Sequence, residues 1–536
     1  KIFFSTDMKH LLLALLSGIL LAIAWPTYGI SLFVFIAWIP LLLVEYQLRS
    51  RGKACKGKVF LLSYLSFLLW NTLTTWWIWN STVVGALFAL LVNSLLMSLV
   101  FLVYHLVAKR NTAKVSSIFL ITIWIAFEKF HHHWDFSWPW LSLGNVFSEN
   151  ITWIQWYEYT GIFGGSLWVL LVNILLFHTL RLFLETKDKR LFYKRIAKIS
   201  LLVLLPIALS WGIYISYKEK GTSIEVVALQ PNIDPYEEKY SLSNEETIAL
   251  LLTLAKEGVT ENTHFVLTPE TVISQGVYRL EDISQSKELP PLHTFLEAHP
   301  QLNWIMGAAI YEVVTDKSKI APQTNYNPVQ NYWFNDYNSA FLLNSFGIMG
   351  FHHKSKLVVG VENMPLQSLL KPILGDIMID LGGTVAVKTT QETPSVLSSL
   401  SEEKVAPVIC YESIYGEYVG QYVKQGAQFL GVLTNDAWWG DTQGYKQLLS
   451  YTRLRAIETR KSIARSANTG ISAFISQRGE IISSLGYGKK GALRGTVLAN
   501  NELTTYVRYG DYIARLSIFV SVGILLISFL KKRSEV

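Results

Sequence analysis

Apolar residues are not spread evenly along this chain. Before residue 218 they gather into long runs, read here as Leu11–Trp25, Ile30–Val44, Val59–Trp79, Val83–Val107, Val115–Phe127, Gly165–Phe183 and Ile199–Ile215. An eighth run, Ile513–Leu530, follows near the end. A helix crossing hydrocarbon needs about 20 apolar residues, so the first, second and fifth runs must borrow flanking residues. Between Gly221 and Gly510 the pattern shifts to short runs broken by turn residues. Ile224–Gln230, Phe265–Thr268, Trp304–Tyr311, Ala340–Asn344, Gly347–His352, Val405–Cys410, Phe429–Thr434 and Ile471–Ser476 predict strands, with Ser345-Phe346-Gly347 turning a hairpin. Tyr445–Ser466 predicts a helix with Leu448, Leu449, Thr452, Ala456 and Ile463 on one face. The polar stretch Lys388–Lys404 predicts an exposed loop. Strands alternating with helices point to an α/β or α+β layered domain.

Lys and Arg place the loops. The second connection carries Arg49, Arg51, Lys53, Lys56 and Lys58; the fourth Lys109, Arg110 and Lys114. The sixth carries Arg181, Lys187, Lys189, Arg190, Lys194, Arg195 and Lys198, and the tail Lys531, Lys532 and Arg533. The first and third carry none. Basic loops stay on the cytoplasmic side, so both termini are expected inside and 219–510 outside, in the periplasm of a host with two membranes. Three parts follow: a membrane domain over 1–218 with an aromatic outer segment around 130–164, an external domain over 219–510, and an eighth span with its tail over 511–536. The first run meets Pro26 and another run at once, without a small-residue cleavage pattern, and is expected to be a retained span.

Composition agrees with this division. Hydrophobic residues make up 51% of the 536 and charged residues 16%, against about 25% charged in a globular norm; mean hydropathy is +0.29. Disorder, collagen-like repeats and a disulfide-stapled secreted module are excluded. The net charge of +7 resides in the inside loops, and no nucleic-acid patch appears.

Two cysteines remain, Cys55 in a basic inside loop and Cys410 outside. A membrane between them prevents pairing. Cys410 ends an apolar strand, which fits a buried structural thiol or a nucleophile; the latter needs a base and a cation nearby. Glu270 ends Val266-Leu267-Thr268-Pro269-Glu270, and Lys354 follows Phe351-His352-His353. Each alone reads as a solvated loop residue. Together they place a Glu, a Lys and a Cys at strand ends, where α/β sites form.

This ordered set resembles the nitrilase, or carbon–nitrogen hydrolase, superfamily. With eight spans around such a domain, the chain resembles the apolipoprotein N-acyltransferase family within it. Thr268-Pro269-Glu270-Thr271, Ile409-Cys410-Tyr411-Glu412, Asn435-Asp436-Ala437-Trp438-Trp439-Gly440, Arg453-Leu454-Arg455-Ala456-Ile457-Glu458 and Asn468-Thr469-Gly470-Ile471-Ser472 carry the likeness. The resemblance implies a polytopic α-helical membrane domain of eight spans plus an extracytoplasmic nitrilase-like αββα sandwich. It implies Glu270 as general base, Lys354 as oxyanion-stabilising cation and Cys410 as nucleophile. Glu362 and Glu412 would hold Lys354 charged and oriented, and Tyr240 would match an aromatic of the family. Lys356 competes with Lys354, but only Lys354 keeps the spacing to Glu362. Leu357-Val358-Val359-Gly360-Val361-Glu362 departs from the family's Val-Pro-Phe-Gly-Glu run.

The implied reaction moves an acyl chain from a phospholipid to Cys410 as a thioester, then to the α-amino group of a diacylglyceryl-cysteine at an apolipoprotein's N-terminus. A thioester acylates an amine without ATP, and no Walker motif occurs; no cofactor or metal is expected. The implied setting is the inner membrane, with a multi-pass monomer. Two other readings compete: a membrane-tethered amidase or nitrilase, for which eight spans are excessive, and a catalytically silent lipoprotein-binding scaffold, for which the three chemical residues are superfluous. His131-His132-His133 lacks a second ligand cluster for a metal. Gly486-x-Gly488-x-x-Gly491 lacks the helix and acidic partner of a dinucleotide site.

Overall fold

The computed structural model describes residues 6–51, 55–234, 242–363 and 387–530. Lys53, Tyr240, Lys531, Lys532 and Arg533 lie outside them. The chain divides into two compact units, one of Lys1–Trp79, Val83–Ser216 and Asp511–Val536, the other of Asn80–Thr82 and Tyr217–Gly510.

The first unit is helical. Its long helices are Thr6–Ile23, Ile39–Ser50, Lys56–Thr75, Val83–Ala108, Ala113–Phe130, Ile162–Thr186, Lys189–Ser216 and Tyr512–Leu530, one on each predicted apolar run. Seven helical stretches are long and apolar enough to cross a membrane. Ala113–Phe130, with Lys114, Glu128 and Lys129 among its residues, is not one of them. Indole rings fill the interior: Trp25, Trp38, Trp70 and Trp124 are fully buried, and Trp38 meets Trp124 edge-on at 4.4 Å. Leu204, Leu209, Trp211 and Phe519 instead point outward and are exposed. Where the chain breaks before Ile39, Asn173 accepts from Trp38 N at 2.9 Å and donates to Val34 O at 2.8 Å, so the freed backbone groups stay paired. The aromatic segment after His131 is a series of turns and short helices packed into this unit, with Trp140, Leu143, Phe147 and Tyr157 buried.

The second unit is built on fourteen described strands: β1 Thr222–Gln230, β2 Thr263–Leu267, β3 Ile273–Arg279, β4 Asn303–Val314, β5 Asn325–Asn327, β6 Tyr332–Asn344, β7 Gly347–His353, β8 Leu397–Ser398, β9 Lys404–Ile409, β10 Phe429–Thr434, β11 Ile463–Ala467, β12 Ser472–Ile475, β13 Ile481–Leu485 and β14 Gly491–Ala499. One sheet runs β14-β1-β2-β4-β6-β5, with β3 on β4 and β7 on β6; the other runs β13-β12-β11-β10-β9-β8. Their inner faces meet at Phe265 and Phe429, 5.3 Å apart edge-on. The pleat sends alternate residues the other way: Val227, Leu229, Val266, Trp304 and Met306 pack under the helices Asn244–Gly258 and Pro290–Glu297. The first of these starts on a Ser243–Glu246 capping box. Helices Gly416–Lys424 and Gln443–Thr459 cover the second sheet, completing an αββα sandwich.

Two expectations need correction. The helix predicted over Tyr445–Ser466 ends at Thr459, because Arg460 turns left-handed (φ 52°). Ile463 then lies in β11, parallel to β10. All five β11 residues are buried, so the strand has no alternation to distinguish it from a helix. Lys388–Lys404 is not an exposed loop throughout: Lys388 is buried against Asp336 at 2.8 Å, and Leu397 is buried in β8. Strands β3, β5, β13 and β14 lie where no strand was predicted.

Candidate active site

Three strand ends come together in the second unit. At the end of β2, Thr268 N donates to Ile305 O at 3.0 Å, and the Thr268 hydroxyl accepts from Gly307 N at 3.2 Å. Pro269 and Glu270 then pass directly over β4. A Cβ on Gly307 would lie 2.2 Å from Pro269 O and 3.0 Å from Glu270 Cα, so only glycine permits this approach. At the end of β7, Lys354 N donates to Asn338 O on β6 at 2.8 Å and carries its side chain inward. At the end of β9, Cys410 takes φ 48°, a strained left-handed turn between a strand and the short helix Cys410–Ile414.

The side chains interlock. Lys354 Nζ lies 2.7 Å from Glu270 Oε1 and 2.9 Å from Glu362 Oε2. Asn338 Nδ2 donates to Oε1 of both acids at 2.8 Å. Glu270 Oε2 accepts from Asn435 N at 3.3 Å, and Glu362 Oε2 from Val358 N at 2.9 Å. Lys354 is 1% exposed, Cys410 5%, Glu270 7% and Glu362 9%. Burial disfavours the Lys354 charge, but Glu270 and Glu362 outweigh it and hold its pKa well above the ordinary value. Burial likewise opposes the Glu362 charge, yet Lys354 and the hydrogen bonds keep its pKa below normal. Burial, reinforced by the negative Glu270, pushes the Cys410 thiol up; Lys354 and a hydrogen bond with Thr434 oppose this. One cation shared by two carboxylates leaves little positive field at the Cys410 sulfur.

Glu412 sits elsewhere than expected. It makes no contact with the Lys354 ammonium among the described hydrogen bonds. Instead its fully buried carboxylate accepts from Ser355 N at 2.7 Å and Ile409 N at 2.8 Å, the residues adjoining Lys354 and Cys410. Tyr418 and Tyr422 each reach it at 3.1 Å, and His352 Nε2 at 3.2 Å. Ser395 N and Gln391 Nε2 lie 3.3 and 3.1 Å from His352 Nδ1; a backbone N–H can only donate, so the ring proton is on Nε2, facing Tyr422 at 2.6 Å. Burial raises the Glu412 pKa, but His352 and these donors outweigh it and leave it lowered.

Lys356, the competing lysine, lies over the rings of Tyr415 and Tyr418, 5.1 and 5.6 Å from their centroids. Below Cys410, Asp436 accepts from Thr434 at 2.6 Å and from Arg465 at 2.8 Å. A cleft lined by Ile233, Thr247, Thr271, Asn435 and Asn468 opens on Glu270. Asn338, His352, Tyr418 and Tyr422 were not picked out from sequence. Asn338 sits inside a long strand without a motif of its own, and the two tyrosines follow Cys410 at helical spacing that reads equally as core.

The family model described as Apolipoprotein N-acyltransferase N-terminal domain matches residues 17–175, and that described as Carbon-nitrogen hydrolase matches 225–504. An apolipoprotein N-acyltransferase of Chlorobaculum tepidum is 27% identical over 98% of this chain and 97% of its own length. One of Geobacter metallireducens is 28% identical over 94% and 92%. Among solved structures, Saccharomyces cerevisiae Nit3, a member of branch 10 of the nitrilase superfamily, aligns with 60% of this chain and 99% of its own at 14% identity and a TM-score of 0.34.

Proposed function

The chain belongs to the apolipoprotein N-acyltransferase family of carbon–nitrogen hydrolases, and from that premise we propose that it moves an acyl chain from a phospholipid to a lipoprotein amine through a thioester on Cys410. That it is an acyltransferase follows from the family. The donor, the acceptor and the residue roles are the proposal. The observation that carries it is the buried contact of Lys354 with Glu270, at 2.7 Å, beside the strained turn that presents Cys410.

In the first half-reaction Cys410 Sγ attacks the ester carbonyl of a phospholipid acyl chain. Glu270 takes the thiol proton as the carbon–sulfur bond forms, which a thiol of raised pKa needs. Lys354 offers its ammonium to the oxygen that becomes negative; one such donor is worth about 10²–10³ in rate. The carbon–oxygen ester bond then breaks, Glu270 returns the proton, and a lysophospholipid leaves. In the second half-reaction the α-amino group of the acceptor's lipid-bearing N-terminal cysteine attacks the thioester. Glu270 accepts the amine proton, Lys354 again faces the oxyanion, the thioester carbon–sulfur bond breaks, and Glu270 returns the proton to Cys410 Sγ. Glu362 and Asn338 position Lys354 and Glu270; Glu412 holds the two strand ends in register.

The basic inside loops support a multi-pass inner-membrane protein with both termini cytoplasmic and the 219–510 region periplasmic. The reading is tested by incubating the purified full-length protein with phospholipid and measuring its intact mass. An acyl mass on Cys410, discharged by a diacylated lipopeptide and absent from Cys410→Ser, is expected. Turnover by that variant would sink it.

A further inference from the structure

Glu270 has a neighbour whose side chain the thioester mechanism does not use. Asn435 follows β10, and its backbone N donates to Glu270 Oε2 at 3.3 Å. Its carboxamide is fixed by a second asparagine. Asn468 Oδ1 accepts from Ile233 N at 2.9 Å, and Asn468 Nδ2 donates to Ile233 O at 2.6 Å. A backbone N–H can only donate, which settles which end of the Asn468 amide is which. The same Nδ2 donates to Asn435 Oδ1 at 3.3 Å. Oδ1 is therefore the engaged end of Asn435, and its Nδ2 has no partner among the described residues.

That donor belongs to a cleft. Asn435 is 3% exposed, and with Ile233, Thr247, Thr271, Val272 and Asn468 it lines the opening on Glu270. An amide NH₂ group taken out of water and left unpaired is costly, so its place on the wall points to a ligand atom that accepts. The space is narrow, enough for about one water-sized group. Among the described residues on the wall Glu270 alone is charged, and its carboxylate would repel a phosphate or a second carboxylate. A neutral carbonyl oxygen fits in size, in charge and in hydrogen-bonding sense.

Given transfer through Cys410 as described above, on which this inference rests, we propose that Asn435 is a specificity-determining residue for the acyl acceptor. Its Nδ2 donates to the acceptor's first carbonyl, the one bonded to the carbon that bears the attacking amine. Glu270 and Asn435 then hold the two ends of one α-aminoacyl group, the amine at the carboxylate and the carbonyl at the amide. Because Asn435 N is also bonded to Glu270, one residue sets the spacing between the two. An amine without that carbonyl, on a lysine side chain or an amino lipid headgroup, still reaches Glu270 but leaves Asn435 Nδ2 unpaired. Selection of an α-amine over other amines follows from that difference.

The test uses full-length protein charged with an acyl chain from phospholipid, freed of donor, and then discharged by one of two acceptors. One is S-(dipalmitoylglyceryl)cysteine amide; the other, S-(dipalmitoylglyceryl)cysteamine, lacks only the carboxamide. Both draw on the same thioester, so the ratio of their discharge rates does not depend on how fully each protein is acylated. Their different amine basicities act equally on parent and variant. Asn435→Ala is expected to lower the ratio of amide to cysteamine discharge about tenfold, the order of one neutral hydrogen bond. Asn435→Ser, a second variant should the alanine not fold, is expected to lower it likewise. An unchanged ratio overturns the proposal. Folded variants that form no thioester place Asn435 at the phospholipid step and overturn it too. A parent that forms no thioester on Cys410 sinks the acyl-transfer reading itself, and that failure is told apart because it precedes the addition of any acceptor.

Discussion

Lys354 and Glu270 meet at 2.7 Å with almost no exposure to water. Glu362 and Asn338 close the ring around them. The contact has a structural consequence separate from catalysis. Removing the cation would leave two buried carboxylates facing one amide, and breaking a buried pair costs about 3–5 kcal/mol. Lys354→Met is therefore expected to lower the stability of the second unit by that order and to cut acylation by at least about 10². Chemical denaturation and single-turnover acylation measure the two losses. Near-wild-type acylation by a folded K354M protein would remove Lys354 from the mechanism.

Glu270 allows ground-state ionisation to be separated from proton transfer. Its charge raises the Cys410 pKa, second only to burial. Glu270→Gln should thus bring the thiol pKa down, and iodoacetamide should alkylate Cys410 at lower pH than in the parent. Acyl transfer should nevertheless fall by about 10²–10⁴, the range for a lost general base. If alkylation and turnover fell together, Glu270 would be acting only on thiol placement.

The strand ends were legible in sequence because Pro269, the apolar run before Cys410 and the hairpin before Lys354 each mark where a strand stops. Their convergence was not written in any one segment; it came through the family resemblance, and the geometry then distinguished Lys354 from Lys356. Glu412 was expected beside the Lys354 ammonium, whereas its carboxylate accepts from Ser355 N and Ile409 N. Spacing can place a carboxylate two residues past a cysteine, but not decide whether it faces an ammonium or two backbone N–H groups. Asn338 and His352 depend on pairing between β6 and β7 and on the fold of 388–398, where a polar stretch conceals a buried Lys388–Asp336 pair.

Acid sensitivity follows from the same acids. Glu362 and Glu412 both have lowered native pKa values, each because partners outweigh burial. They bind fewer protons folded than unfolded, so their stabilisation is present above the unfolded value of about 4.3 and is lost as pH falls through the native one. Lys354 is raised, so its contribution is complete below about 10.4 and is lost as pH rises through its native value. The combined contribution of these three groups should be level between about pH 5 and pH 10 and drop on either side. Denaturation midpoints measured down to about pH 3 should show a shallower acid slope for Glu362→Gln. An unchanged slope would mean that Glu362 does not contribute this linkage.

Glu412 provides the sharpest separation of positioning from chemistry. Its two oxygens accept from Ser355 N and Ile409 N, so one carboxylate links the backbone beside the ammonium to the backbone beside the thiol. In Glu412→Gln one oxygen becomes an NH₂ group and cannot accept. One of those N–H groups is then buried without a partner, at a cost of about 1–3 kcal/mol. The strand ends should shift apart while the Lys354–Glu270 contact persists. The expected result is a kcat lower by roughly ten- to a hundredfold, taking about 1.4 kcal/mol per factor of ten, with the KM for phospholipid little changed. Glu412→Ala, which also strands Tyr418 and Tyr422, should be worse and visibly destabilised. A loss confined to KM would instead place Glu412 at the substrate.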